Sequence, residues 1–586
     1  MLLAGLAFAA SCPTGPGGLS WAEDRPPGLK SEIQIRPGFQ NPWRYPLVEI
    51  YLSNQTGKAV QWTGVTMDGV ALGNGTNCVW TQYYPNEKAG PGRTTLLQIC
   101  LEDAPQVARK IEVETSDGQK VPVNLDPFPA KPRTDQSKDF FGGMPKNAIL
   151  LDDYSTQAFP IPKCRLLGVT FDSAFKHIQV SWSSSTKGIS CKRMVINGDM
   201  IPGTKESLFS SDDLPKFAGS AGMVCAAVAK PVQFGELIHV HIELSDNTTA
   251  QCLMRATNDF FVDDLGISRT VEGEASRKDL GLDLHPKWKD LGFDVACADF
   301  ATQKWGQSAP QLVAARKAAY DGGDPQPTYQ YLCVSSIQNT YSIYGQCSDG
   351  LQVNPYRRGW STWEKFIEEE AQTFRWAREA AQPRPWFWIP EVFIHKDDKR
   401  FLEADEYRSL TYAALGHACK GIGLYVYDDK TVVGYSKNPS LLAEIKKVNA
   451  EIARLRPMLE PAQFISRKTI GDPDTGVRQY VLWSGQDGVL VILRNTDYST
   501  DRKPDDMGRA PRFKCNSKSD VTAAVHIPSW IKESLAGGSN PLQVLDPLSG
   551  EVLPHKQDGD LVSVSLPKLD IGRILWIPTP KGNAGK

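Results

Sequence analysis

Carboxylates recur where apolar runs of this chain end: Asp259, Asp263, Asp264, Asp299, Asp349, Glu391, Asp428 and Asp429. Two such groups brought together could cleave a glycosidic bond. That reaction uses a carboxyl pair roughly 5–5.5 Å apart for retention or roughly 6.5–9.5 Å for inversion. Glu391 leads the catalytic candidates because it closes Pro385-Trp386-Phe387-Trp388-Ile389-Pro390, the most aromatic run in the chain. Apolar walls of this kind make a carboxyl group a tunable acid or a guarded nucleophile. Asp349, one helical segment earlier, is the second candidate, and Asp299, closing Val295-Ala296-Cys297-Ala298, is the third. Trp386, Trp388, Tyr356, Tyr425 and Tyr427 offer aromatic faces on which sugar rings stack, and Asp259 and Asp428 offer acceptors for hydroxyls. Each has a plainer alternative. Glu391 could be a polar residue leaving the core, Asp349 a turn cap beside Gly350, and Asp428 part of a solvated turn.

The elements that must position these residues are legible between Cys347 and Asp429. A short apolar run, Leu351-Gln352-Val353, ends at Pro355-Tyr356. A long amphipathic segment, Trp363 to Ala381, follows with Trp363, Phe366, Ile367, Phe374 and Ala377 on one face. After the aromatic run a second helix is predicted from Asp405 to His417, leading into Gly421-Ile422-Gly423-Leu424-Tyr425-Val426. Near-continuous apolar strands alternating with helices require a parallel sheet covered by helices. In a barrel of this type the C-terminal strand ends face the active-site mouth. Upstream, the reading predicts a strand-like run from Leu253 to Phe261, helical spacing around Leu280 to Leu291, a strand from Asp294 to Asp299, a helix from Ser308 to Tyr320 and a strand from Thr328 to Val334. That gives six barrel strands rather than eight.

This stretch resembles the C-terminal half of the catalytic barrel in glycoside-hydrolase-like (TIM-barrel) secreted proteins. The resemblance rests on Asp349 with Pro355-Tyr356, the aromatic strand ending in Glu391, the Ala-rich helix, and Lys420-Gly421-Ile422 with its aromatics. It covers roughly a seventh of the chain. It implies a (β/α)8-like barrel, complete or incomplete, and a nucleophile or sugar ligand at Glu391. One departure stands out: no Asn-Glu pair follows a middle strand, where such enzymes carry their acid/base. Two readings therefore remain, a glycoside hydrolase and a non-catalytic glycan-binding or surface-scaffold protein.

The rest of the chain organises around that barrel. At 586 residues, several domains are expected. Alternating strands predict a β-sandwich over 31–128, a second over 145–248 and a third over 464–580, flanking a barrel over 252–460, so the fold class is α/β plus all-β. Ser440 to Arg456 is predicted as a helix stopped by Pro457. His239 and His241 share one strand face, a spacing that could ligate metal, but with no third ligand in the pattern they read as solvent-facing polar positions. Residues 1–12 read as an export signal without its positive start, with Ala10-Ser11-Cys12 resembling a lipoprotein site, and 13–30 as a Pro/Gly-rich linker. Export and a lipid anchor at Cys12 are the expectations. Lys plus Arg number 65 against 67 Asp plus Glu, which gives no electrostatic case for nucleic acid. The 12 Cys and 8 His are dispersed without metal-ligand spacing. No metal or cofactor is expected, the expected partner is a poly- or oligosaccharide, and neither the sugar nor the oligomeric state is legible.

Overall fold

The computed structural model describes residues 28–36, 44–74, 76–128, 164–210, 219–267, 271–284, 287–294, 305–323, 326–332, 339–355, 366–394, 400–428, 432–501, 512–537 and 540–580. Residues 1–27, with the expected export signal and Cys12, lie outside them, as do Asp299 and Tyr356.

The N-terminal region pairs two antiparallel sheets. One runs in the order Leu29–Arg36, Leu47–Asn54, Thr94–Cys100 and Trp80–Tyr84; the other is built on Lys120–Leu125, Arg109–Thr115 and Val60–Met67. Alternate residues such as Ile50, Ile99, Val113 and Val123 meet in a common core. A second such pair places Cys164–Phe171, His177–Ser184, Ser220–Ala227 and Lys205–Leu208 opposite Cys191–Ile196, Leu237–Leu244 and Thr249–Arg255. The run from Leu253 to Phe261 is therefore not one barrel strand. Its first residues complete the sandwich, paired antiparallel with Leu237–Leu244, and a new strand begins at Phe261. His239 and His241 are buried rather than solvent-facing. The imidazole of His239 lies 2.8 Å from the Gln251 side chain and stacks on Tyr51 of the first sandwich.

The third region holds a six-stranded, wholly parallel sheet: β1 Phe261–Asp264, β2 Lys289–Asp294, β3 Thr328–Leu332, β4 Gly350–Val353, β5 Trp386–Trp388 and β6 Gly421–Leu424. The helices between and after them are α1 Val271–Leu280, α2 Trp305–Asp321, α3 Asn339–Tyr344, α4 Phe366–Ala381, α5 Ala404–Gly416 and α6 Pro439–Leu459. The strand order is β1-β6-β5-β4-β3-β2, that of a barrel left unpaired between β1 and β2 among the described residues. There Asp283 bonds to Val262 through its backbone N–H and, in return, through its side chain. The helix expected around Leu280 to Leu291 instead ends at Leu280, where Gly281 takes φ +68°; glycine adopts that left-handed stop without a Cβ penalty. Helix α6 starts with Pro439 behind Asn438, whose side chain accepts from the Leu441 N–H at 3.2 Å.

The helices cover the outer face of the sheet. Leu351, Val353, Trp386, Trp388, Ile422 and Leu424 pack there against Phe374, Leu410, Leu441 and Ile445. Phe261, Trp288, Tyr329 and Phe387 fill the inner face near the N-terminal strand ends, with ring centroids 4.7–6.0 Å apart among the contacting pairs. Behind the barrel, Gln463–Ile470, Val477–Trp483, Gly488–Asn495 and Gly572–Pro578 form one antiparallel sheet, and Lys518–His526, Leu561–Leu569 and His555–Asp558 another. The two share a core of Val481, Val491, Val521 and Val564.

Candidate site at the C-terminal mouth of the parallel sheet

Side chains alternate faces along a strand, so the inner aromatic cluster fixes which residues above it also face inward. Phe261 is followed by Asp263, Tyr329 by Tyr331, Phe387 by Ile389 and Glu391, and Gly421 by Gly423 and Tyr425. On β4, a Cβ at Gly350 would meet Phe387 and Trp288, so Gln352 and Asn354 continue the inner face. The register agrees: Asp263 pairs with Gly423, and Glu391 forms a parallel bridge with Tyr425. Aromatic rings thus floor the sheet's interior. A polar layer with Asp263, Tyr331 and Gln352 lies above them, and Glu391, Asn354 and Tyr425 lie nearest the C-terminal mouth. Glu391 and Asn354 are both buried, and Tyr425 stands edge-on to Phe393 at 5.3 Å.

The structure does not bring Asp349 to this mouth. Asp349 immediately precedes β4 and so lies at the opposite, N-terminal end of the sheet. Its carboxylate accepts from Tyr84 Oη at 2.8 Å, Tyr320 Oη at 2.6 Å, the Thr328 N–H at 2.8 Å and Thr328 Oγ1 at 3.0 Å. Burial acts to raise its pKa, but the charges of Arg316 and Arg384 with these donors outweigh it and hold the group below the usual carboxylate value. Asp349 precedes Leu351-Gln352-Val353 in the chain, so once that run is a strand, sequence order alone puts the carboxylate at its start and away from the mouth.

Other expected residues also find structural roles. Asp259 precedes β1, again at the N-terminal end, and accepts from Trp288 Nε1 at 2.9 Å. Trp388 points outward: its Nε1 donates to Glu370 on α4 at 3.1 Å, and its ring stacks on Tyr407 of α5. It is fully buried between sheet and helices, which excludes it as a sugar platform in this conformation. Tyr427 is half-buried and packs edge-on against Tyr435. Asp428 is exposed, with Lys437 Nζ 3.3 Å away.

Asp263 and Asp264, which nothing in the sequence set above the other strand-end carboxylates, take opposite faces of β1. Asp263 faces inward and is salt-bridged by Arg277, which also donates to the carbonyls of Asp264, Ile267 and Asp283 and is itself buried. Asp264 faces outward and accepts from Tyr435 Oη at 2.7 Å and from the N–H groups of Gly266 and Ile267 at 2.7 and 3.1 Å. Burial pushes its pKa up to about 6 against these donors. Gln352 on β4 and Asn354 just beyond it are polar residues on the inner face, and their spacing of two is the sequence signal for them.

No family model matches the chain, and no curated protein matches it. Solved structures that resemble it are glycoside hydrolases. They include an Anoxybacillus α-amylase, 11% identical over 55% of this chain and 71% of that one, with a TM-score of 0.27. A Thermotoga maritima α-fucosidase in complex with a mechanism-based inhibitor is 12% identical over 52% and 78%, with a TM-score of 0.23. A Ruminococcus gnavus β-glucuronidase in complex with D-glucuronic acid is 10% identical over 70% and 88%, with a TM-score of 0.22. Overlap at this level carries no argument about what this chain does, which must rest on its own residues.

Proposed function

We propose that this chain is a carbohydrate-active protein of the glycoside-hydrolase type, with its sugar site at the C-terminal mouth of the parallel sheet and Glu391 as its acting carboxyl group. The observation that carries this reading is the inward placement of Glu391 beside Tyr425, above a polar layer that a purely structural barrel interior does not need. Asp263 is the inward-facing partner on the described strands: β1 and β5 flank β6, so their backbones stand about two strand spacings, roughly 10 Å, apart. Asp299 remains a proposed partner outside the described residues. The substrate is an oligo- or polysaccharide reached after export, with Cys12 as a lipid attachment point. Metabolic labelling with a fatty acid, lost in Cys12→Ala, is the outcome expected of that anchor.

A second reading has a specific observation behind it. Asp263 is committed to Arg277 and Asp349 stands at the far end of the sheet, and this favours a glycan-binding protein that does not cleave. One experiment separates the two. Wild type and Glu391→Gln are assayed for hydrolysis of aryl glycosides and polysaccharides and for binding to the same panel. Loss of a carboxyl group acting in proton transfer lowers turnover by about 10²–10⁴, while a shape-preserving amide retains binding. Equal cleavage by both proteins removes Glu391 from the chemistry, and saturable binding by a wild type that cleaves nothing establishes the second reading.

A further inference from the structure

The polar layer beneath Glu391 contains an amide with no partner. Gln352 is fully buried, and among the described residues neither its Nε2 nor its Oε1 has a hydrogen-bond partner; the Oδ1 of Asn354, two residues on and buried on the same face, is likewise unpartnered there. Buried side-chain amides are almost always satisfied, because leaving one unpaired forfeits the hydrogen bonds it made with water. Leu or Met would fill the same volume without that loss. The chain also makes room for the amide. Nε2 of Gln352 lies 2.2 Å from where a Cβ at Gly423 would stand, so it crosses the interior to β6 and occupies space that only a glycine leaves open. An orphaned amide, an unpartnered amide oxygen two residues on along the same face and a glycine opposite form an arrangement that costs stability in the unliganded protein. Such costs persist at functional sites.

Resting on the sugar-site reading above, we infer that Gln352 is the specificity-determining residue of that site. Its amide is completed by two hydroxyl groups of a bound sugar ring, with Asn354 Oδ1 accepting from a third. The chemistry selects a polyhydroxyl ligand. A carboxamide offers an acceptor and a donor about 2.2 Å apart in one plane, which matches adjacent ring hydroxyls, one donating to Oε1 and one accepting from Nε2. A charged or purely apolar ligand would leave one of these atoms unpaired. Rotation about the outer bonds of the Gln352 side chain swings the amide from Gly423 towards the Glu391 layer, where a sugar seated in the mouth would meet it.

The test compares wild type, Gln352→Met and Gly423→Ala of the full chain. Each is measured for thermal midpoint and for binding, by calorimetry, of the methyl glycosides of glucose, galactose, mannose, xylose and fucose. Gln352→Met keeps the volume and removes the orphaned atoms, so its midpoint should equal or exceed that of wild type while its best glycoside binds at least tenfold more weakly. Gly423→Ala keeps the amide but displaces it, and should weaken the same glycoside. A fall of several degrees in the Gln352→Met midpoint would overturn the inference by making the amide structural. So would unchanged affinity in both variants, which leaves the sugar-site reading intact. If wild type binds none of the five glycosides, the sugar-site reading itself fails, and this inference with it.

Discussion

The two ends of the parallel sheet both bury polar groups, and they treat them in opposite ways. At the N-terminal end the buried ionisable groups Asp349 and Lys420 are saturated. Asp349 takes hydrogen bonds from three residues, and Lys420 donates to the carbonyls of Leu459, Glu460 and Ala462, closing the end of α6. At the C-terminal end Gln352 and Asn354 keep atoms that are unpartnered among the described residues. The contrast lies within one strand: Gln352 follows Asp349 by three residues, roughly 10 Å of extended chain. A carboxylate at a strand end is therefore a poor marker of function by itself. Completeness of its hydrogen bonding is the better one, because a saturated group already performs its task in the folded protein.

The largest effect that could break this comparison is at Asp349. Asp349→Ala removes the carboxylate that faces Arg316 and Arg384, both buried, and leaves their charges uncompensated. Leaving buried charges uncompensated costs about 3–5 kcal/mol. Chemical denaturation followed by tryptophan fluorescence should show that loss, while sugar affinity of the folded fraction stays at the wild-type value. A stable variant with impaired binding would place the functional end of the sheet beside Asp349 rather than at the C-terminal mouth.

Asp264 sharpens the comparison, since it lies at the C-terminal end but faces outward and accepts three hydrogen bonds. Its folded carboxyl holds a proton up to about pH 6, against an ordinary value of 3.8, because burial outweighs its donors. The folded state therefore binds more protons than the unfolded state between about pH 4 and 6. Stability from this group is present below that window and falls as pH rises through it, by on the order of 2–3 kcal/mol. Asp264→Asn should flatten the stability profile of the protein across that range. Profiles that stay parallel would mean that the carboxyl is ionised throughout.

Much of the architecture was legible because it is written in periodicity. Continuous apolar strands alternating with helices specified a parallel sheet, and the alternating runs on either side specified antiparallel ones. The gap between β1 and β2 among the described residues was not legible, since it depends on how Asp283 bonds to Val262, a contact with no periodic signature. At the site, Glu391 was visible through its aromatic neighbours, but the same aromatics misled. Trp386 and Trp388 face the helices, donating to His417 and Glu370, because in a three-residue strand between prolines the inward position falls to Phe387. Asp349 misled because polarity marks a strand boundary at either end, and only chain order assigns it to the start of β4. Gln352 and Asn354 are uncharged and their spacing shows only a shared face, whereas burial without a partner is a property of the fold alone.

The smallest effect belongs to Asp428, which the sequence offered as a contact for sugar hydroxyls. Its carboxylate is more than half exposed, as is its partner Lys437, 3.3 Å away. Water screens such a pair, and holding two mobile side chains together offsets most of the attraction, so exposed pairs contribute about 0–1 kcal/mol. Asp428→Ala should leave the thermal midpoint almost unchanged and should be less sensitive still at high salt, where the pair is weaker in wild type too. The informative measurement is glycoside affinity. Asp428 follows β6 only four residues after Leu424, on the same end of the sheet as Glu391, so a long saccharide could reach it from the mouth. A variant with wild-type affinity for monosaccharide glycosides but weakened binding of tetrasaccharides would extend the site along β6. Equal affinity for both lengths would confine it to the inward-facing groups around Glu391, where the unsaturated atoms are.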